Sequence, residues 1–162
     1  MTGFAESLKT FFLMSQFTVR VYGIMINENK QVLVSDEYIR GGYYTKFPGG
    51  GLEFGEGTLE CIIREWKEEV NQDIEVVEHL YTTDFFQMNA FNNVQQIIAI
   101  YYLVRAVSPF VAPILEKPFG FEVPEGATQV EGVRWVEWDA FSSAAVTLPT
   151  DKRVSDIVKA KF

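Results

Sequence analysis

The stretch GGLEFGEGTLECIIREWKEEVNQ, residues 50–72, runs from a glycine-rich loop into one amphipathic segment. Leu59, Ile62, Ile63, Trp66 and Val70 recur at i, i+3, i+4, i+7 and i+11, an apolar stripe that predicts a helix over Thr58 to Val70. Thr58 is expected to cap its start, and Glu60 suits the positive end of the helix dipole. Asn71 is expected to stop it, because asparagine tolerates a left-handed conformation better than other non-glycine residues. Glu65, Glu68 and Glu69 share another face. At ~100° per residue they span roughly a third of the circumference, centred away from the stripe, so all three should point away from the core. Three neighbouring like charges cost a few tenths of a kcal/mol per pair, and only Arg64 is near enough to offset them. A solvated acidic face is one reading. A hard divalent cation on carboxylate oxygens explains the cost better.

The loop suits the same purpose, since Gly49, Gly50, Gly51, Gly55 and Gly57 leave the backbone open to close approach by a metal or a phosphate. The order is Gly50, five residues, Glu56, seven residues, then Arg64-Glu65-Trp66-Lys67-Glu68-Glu69. It resembles the Nudix box, Gx5Ex7REUxEExGU, in which U is a bulky apolar residue. Two positions depart: the late glycine is Asn71 and the closing apolar residue is Gln72. Neither change removes a charged residue of the pattern.

The resemblance implies a MutT-like Nudix hydrolase of unassigned subfamily. The implied fold is an α/β/α sandwich of mixed α and β structure, with a mixed sheet and an antiparallel hairpin sheet. Its implied activity is metal-dependent cleavage of a pyrophosphate bond in a nucleoside diphosphate linked to another moiety, such as ADP-ribose, a nucleotide sugar or a nucleoside triphosphate. Mg²⁺ or Mn²⁺ would be held by Glu65, Glu68, Glu69 and the Gly49 carbonyl, and Arg64 would hold Glu65 in position. Some members of the family take their general base from a carboxylate of the box and others from a late loop; Glu131, Glu125 and Glu122 are the late-loop candidates, Glu131 is favoured, and Glu65, Arg64 and Glu68 join it as candidate catalytic residues. Cys61 is expected to pack rather than react. The region that separates subfamilies reads Gln87-Met88-Asn89-Ala90, which matches neither the ADP-ribose nor the dinucleoside polyphosphate pattern. Phe85, Gln87 and Gln95, in an amide-rich stretch, are candidate substrate contacts. A non-catalytic, nucleotide-sensing Nudix-like module is the alternative, disfavoured because the box glutamates are kept.

Outward from the box, β-branched and aromatic residues from Phe17 to Ile26, a turn at Asn27 to Lys30 and a second run from Gln31 to Ser35 predict a hairpin. Tyr43 to Phe47 is a short strand candidate, ended by Pro48 and the glycines that follow. Strands are expected at Ile74 to Phe86, Val94 to Val107 and Val130 to Trp138, with a short helix from Ser155 to Ala160. The Pro- and Gly-punctuated segment from Ser108 to Gln129 reads as a long functional or mobile loop. The order predicts one domain over residues 1–162, with mixed sheets and helices packed outside. Phe4, Leu8, Phe11 and Phe12 suggest an added helix within residues 1–16, a lid on the core or a homodimer contact.

Apolar residues at 48% and aromatics at 15% fit a folded domain. A formal charge of −8 argues against nucleic acid as the main partner. It also demands a cation if the substrate carries phosphates. One cysteine allows no intrachain disulfide, and one histidine, His79, excludes a histidine-rich zinc site. The apolar run from Ile97 to Val104 is far short of the ~20 residues of a membrane span. A soluble cytoplasmic protein acting on a small molecule is the expectation.

Overall fold

The computed structural model describes residues 16–162. The helix expected within residues 1–16 lies outside them, apart from Gln16, which opens the first strand. The strands are β1 (Gln16–Ile24), β2 (Gln31–Ile39), β3 (Gly42–Lys46), β4 (Gly49–Gly51), β5 (Ile74–Thr82), β6 (Met88–Asn89), β7 (Asn92–Ala106) and β8 (Gln129–Glu137). The helices are α1 (Thr58–Val70) and α2 (Pro149–Lys161), and a 3-10 turn covers Ser143–Ala145.

One sheet runs β4-β1-β7-β5, with β6 also on β7; the other runs β3-β2-β8. The first is mixed, since β1 and β7 are parallel while the remaining pairs are antiparallel. The second is wholly antiparallel. The alternation along the central strands β1 and β2 sorts their buried side chains between two cores. Tyr22, Ile24, Val32 and Val34 join Val154 and Val158 of α2. Val21, Met25 and Leu33 join Ile62, Trp66 and Val70 of α1. The result is the expected α/β/α sandwich.

The chain departs from its sequence reading in several places. Asn27 forms the expected turn, its Oδ1 accepting from the amides of Asn29 and Gln31. The strands it joins, however, separate beyond the Ile26–Val32 bridge into different sheets. The glycines at 49–51 do not end regular structure; they pair antiparallel with Arg20–Tyr22 as β4. Gly49, at φ 142°, lies so close to β1 that a Cβ would stand 2.1 Å from the Val21 carbonyl oxygen. The last helix begins six residues before the expected Ser155, because Pro149 occupies its first turn, where a missing N–H costs nothing. Ser108 to Gln129 is irregular as expected but is anchored: buried Asp36 accepts from Phe119 N at 3.0 Å, Thr45 Oγ1 at 2.7 Å and Arg134 Nε at 2.6 Å. Among the described residues, no helix is long and apolar enough to cross a membrane.

Candidate active site

Helix α1 starts one residue earlier than expected in its capping. Gly57 is the N-cap, and its amide donates to Glu60 at 2.7 Å, while the Thr58 hydroxyl hydrogen-bonds Tyr102 at 2.8 Å. The C-terminus ends as expected, with Asn71 left-handed at φ 52° and ψ 35°. Gln72 turns inward, and its Nε2 donates to the Ser108 carbonyl and hydroxyl, tying the helix end to the start of the long loop.

The carboxylates do not share one exposed face. Glu65 is buried at 9% exposure, whereas Leu59 and Ile63, expected in the stripe, are about half exposed at 50% and 45%. The buried face is therefore rotated toward Cys61, Ile62, Glu65 and Trp66. Gly50 explains the rotation: a Cβ there would lie 2.3 Å from the Glu65 carboxyl carbon, so only a bare backbone lets the loop close over it. Cys61 is buried, and burial pushes its thiol up to about 12, which suits packing and not nucleophilic attack.

Arg64 organises the box. Its Nε and Nη2 grip both oxygens of Glu56, at 3.0 and 2.6 Å, and Nη1 reaches Glu65 at 2.9 Å and Glu68 at 3.2 Å. Nη2 also donates to the Gly51 carbonyl. The hydrogen bonds from Arg64 hold the Glu56 carboxyl down at about 2. One guanidinium thus fixes three carboxylates and the loop; Glu68 remains largely exposed.

Glu69 points into a different neighbourhood. Its Oε2 accepts from Gly49 N at 3.0 Å, and its Oε1 lies 3.8 Å from Lys46 Nζ. Carboxylate oxygens of Glu37, Glu69 and Glu131 all lie within 4.8 Å of one another. Burial raises the pKa of Glu69 against the pull of Lys46. Glu131 is exposed on its outer side, but its carboxyl faces the other two. Partial burial, then the charges of Glu69 and Glu37, push it up to about 7. Glu122 and Glu125 are exposed and lie outside this cluster.

Neither Glu37 nor Lys46 follows from the box. Register brings them in: Glu37 on β2 pairs with Glu131 on β8, and Lys46 closes β3 immediately before Phe47-Pro48. Lys46 Nζ lies 2.8 Å from Glu37 Oε1 and donates to the Gly49 carbonyl at 3.1 Å. The one available signal was that Asp36 and Glu37 directly follow the apolar run Val32-Leu33-Val34 and Ser35.

A cavity of about 850 Å³ opens beside Glu69, lined also by Arg20, Arg40, Lys46, Phe91 and Asn92. A smaller one of about 200 Å³ lies on its other side against Glu131, so Glu69 borders both. Gln87 lines a third, narrow cavity next to Phe91. Phe85 and Gln95 line none of the three; Gln95 accepts from Asn89 and steadies the β6–β7 turn.

The NUDIX domain model matches residues 16–156, nearly all of the described chain. This chain belongs to the Nudix family. The Nudix domain here is 28% identical over 126 residues to Nudix hydrolase 2 of Arabidopsis thaliana, covering 76% of this chain. It spans only 40% of that relative's length. Among solved structures, the E. coli ORF135 protein superposes with a TM-score of 0.64 at 15% identity, covering 90% of this chain and 91% of its own. The MutT structure determined for Aliivibrio salmonicida and Vibrio cholerae gives 0.61 at 20% identity, covering 91% and 100%. At these identities the likeness carries the Nudix fold alone.

Proposed function

We propose that this chain hydrolyses a pyrophosphate bond in a nucleoside diphosphate derivative, using Mg²⁺ or Mn²⁺. The observation that carries the reading is Glu69: it borders the large cavity and the Glu131 side at once, beside the Gly49 backbone. The donor set fits a hard divalent ion. It is all oxygen, from glutamate carboxylates of α1 and the Gly49 carbonyl, the chemistry that Mg²⁺ and Mn²⁺ prefer.

Glu69 and the Gly49 carbonyl are the inner ligands in this reading, and Glu65 and Glu68 complete the set from the Arg64 side. A divalent ion held there would neutralise the diphosphate and lower the pKa of a bound water. Arg64 does not touch substrate; it positions Glu65 and Glu68 through the contacts above. Glu131, whose carboxyl faces Glu69 and Glu37, is suited to accept a proton from the attacking water. Arg20, Lys46 and Arg40 supply the positive wall that a phosphorylated ligand requires in a protein of charge −8. Phe91 and Asn92 stand where a base or sugar would rest, with Gln87 in the adjoining cavity. Phe85 and Gln95 act from outside the cavities, by supporting that hairpin.

The test is a panel of nucleoside diphosphate derivatives with Mg²⁺ or Mn²⁺, read as phosphate released after coupling to a phosphatase. Turnover of at least one compound, lost with chelator, is expected. Tight binding of a nucleotide with no turnover of any compound would replace the hydrolase by a sensing module.

A further inference from the structure

Lys46 is 4% exposed, and its ammonium is held by three oxygens from three segments: Glu37 Oε1 on β2, Glu69 on α1 and the Gly49 carbonyl. Two of these three, Glu69 and Gly49, are the inner metal ligands of the proposed site, on which this inference rests. The same ammonium lines the large cavity and stands 5.7 Å from the Tyr22 ring centroid. Glu37 and Glu69, which flank this ammonium, gather with Glu131 so that their carboxylate oxygens lie within 4.8 Å of one another.

One side chain therefore occupies the donor atoms that a metal needs and borders the space that a diphosphate needs. We propose that Lys46 is a displaceable internal cation and a substrate-positioning residue. In the metal-free protein it neutralises Glu69 and the Gly49 carbonyl. When a divalent ion takes those two oxygens, the ammonium keeps Glu37 as its anchor and turns its remaining donors to a phosphate oxygen in the cavity. Lysine suits this exchange, being a compact charge with three donors on a flexible four-carbon stem. Gly49 cannot yield in its place, because its backbone is pressed against β1. Metal and substrate would thus be linked: the lysine opposes the metal alone and favours the metal–diphosphate pair.

The two effects have opposite signs, so one pair of variants reads both. Because Lys46→Met alone strands the buried Glu37 carboxylate and could prevent folding, the comparison is made between Glu37→Gln and Glu37→Gln/Lys46→Met. Mn²⁺ binding without substrate, followed by electron paramagnetic resonance, is expected to tighten about fivefold or more when the lysine is removed. Binding of inorganic pyrophosphate in the presence of Mn²⁺, followed by calorimetry, is expected to weaken about tenfold or more. Lys46→Arg in the wild-type background should retain most of the pyrophosphate affinity. Unchanged or weaker Mn²⁺ binding in the folded double variant would overturn the inference, as would unchanged pyrophosphate binding. If Glu69→Gln left Mn²⁺ binding intact, the metal-site reading itself would fail, and that result is distinguishable from the others.

Discussion

Asp151 lies wholly buried at the start of α2, where Tyr101 donates to its Oδ1 at 2.6 Å and its Oδ2 has no hydrogen-bond partner among the described residues. Burial pushes this carboxyl from its ordinary 3.8 up to about 7. The folded protein therefore keeps a proton between about pH 4 and 7 that the unfolded chain has released. Stability should fall as pH rises through that window and level off above it. Asp151→Asn removes the penalty. It should stabilise the protein at pH 8 by on the order of a few kcal/mol, with the gain vanishing toward pH 4, as urea unfolding at both pH values would measure. A gain that grew on acidification would contradict the burial account. At this scale the box was legible because its spacing is local. Glu37 was not, because the β2–β8 register that pairs it with Glu131 joins distant parts of the chain, and Lys46 was not, because its contact with Glu69 joins β3 to α1.

Helix α1 packs its core face onto β1 at Val21, Gly23 and Met25. Trp66 lies so close to Gly23 that a Cβ there would be 2.4 Å from the indole nitrogen. Gly23→Ala should therefore lift the helix and cost about 1–3 kcal/mol, seen as a lower urea midpoint with an unchanged slope. Activity should fall with it, since Glu65 and Glu69 ride on the same helix; a neutral effect on stability would show that the indole has room to move. The bounds of α1 were readable from periodicity, but its rotation was not. Leu59 and Ile63 look like core residues by sequence, yet the closeness of the Gly50 backbone buries Glu65 in preference. The β4 strand was hidden for a related reason: glycine carries no strand propensity, and the pairing with β1 decides it. The separation of β1 from β2 is likewise set by distant partners, β7 and β8.

Across the whole molecule, two sheets place α1 on one face and α2 on the other, with the candidate site between the sheets' edges and the long loop. Asp36 fastens that loop, joining Phe119 to Thr45 and Arg134 from a fully buried position. Asp36→Ala should cost about 3 kcal/mol or more, by stranding the Arg134 guanidinium and releasing the Phe119 amide. Limited proteolysis should then cut faster within residues 108–129, and an unchanged cleavage pattern would mean that other contacts hold the loop. The layered fold was legible from the order of elements, but the loop's attachment was not, since it is made by contacts distant in sequence, Asp36 with Phe119, Gln72 with Ser108 and Leu115 with Val133.

The central claim is that Glu69 holds the metal on which pyrophosphate cleavage depends. The most direct measurement is phosphate release from the best substrate of the panel, with Mn²⁺, by the wild-type protein and by Glu69→Gln, together with the thermal midpoint of each. The account predicts metal-dependent release by the wild type and none by the variant, at a midpoint close to wild type. Turnover surviving in folded Glu69→Gln would contradict it.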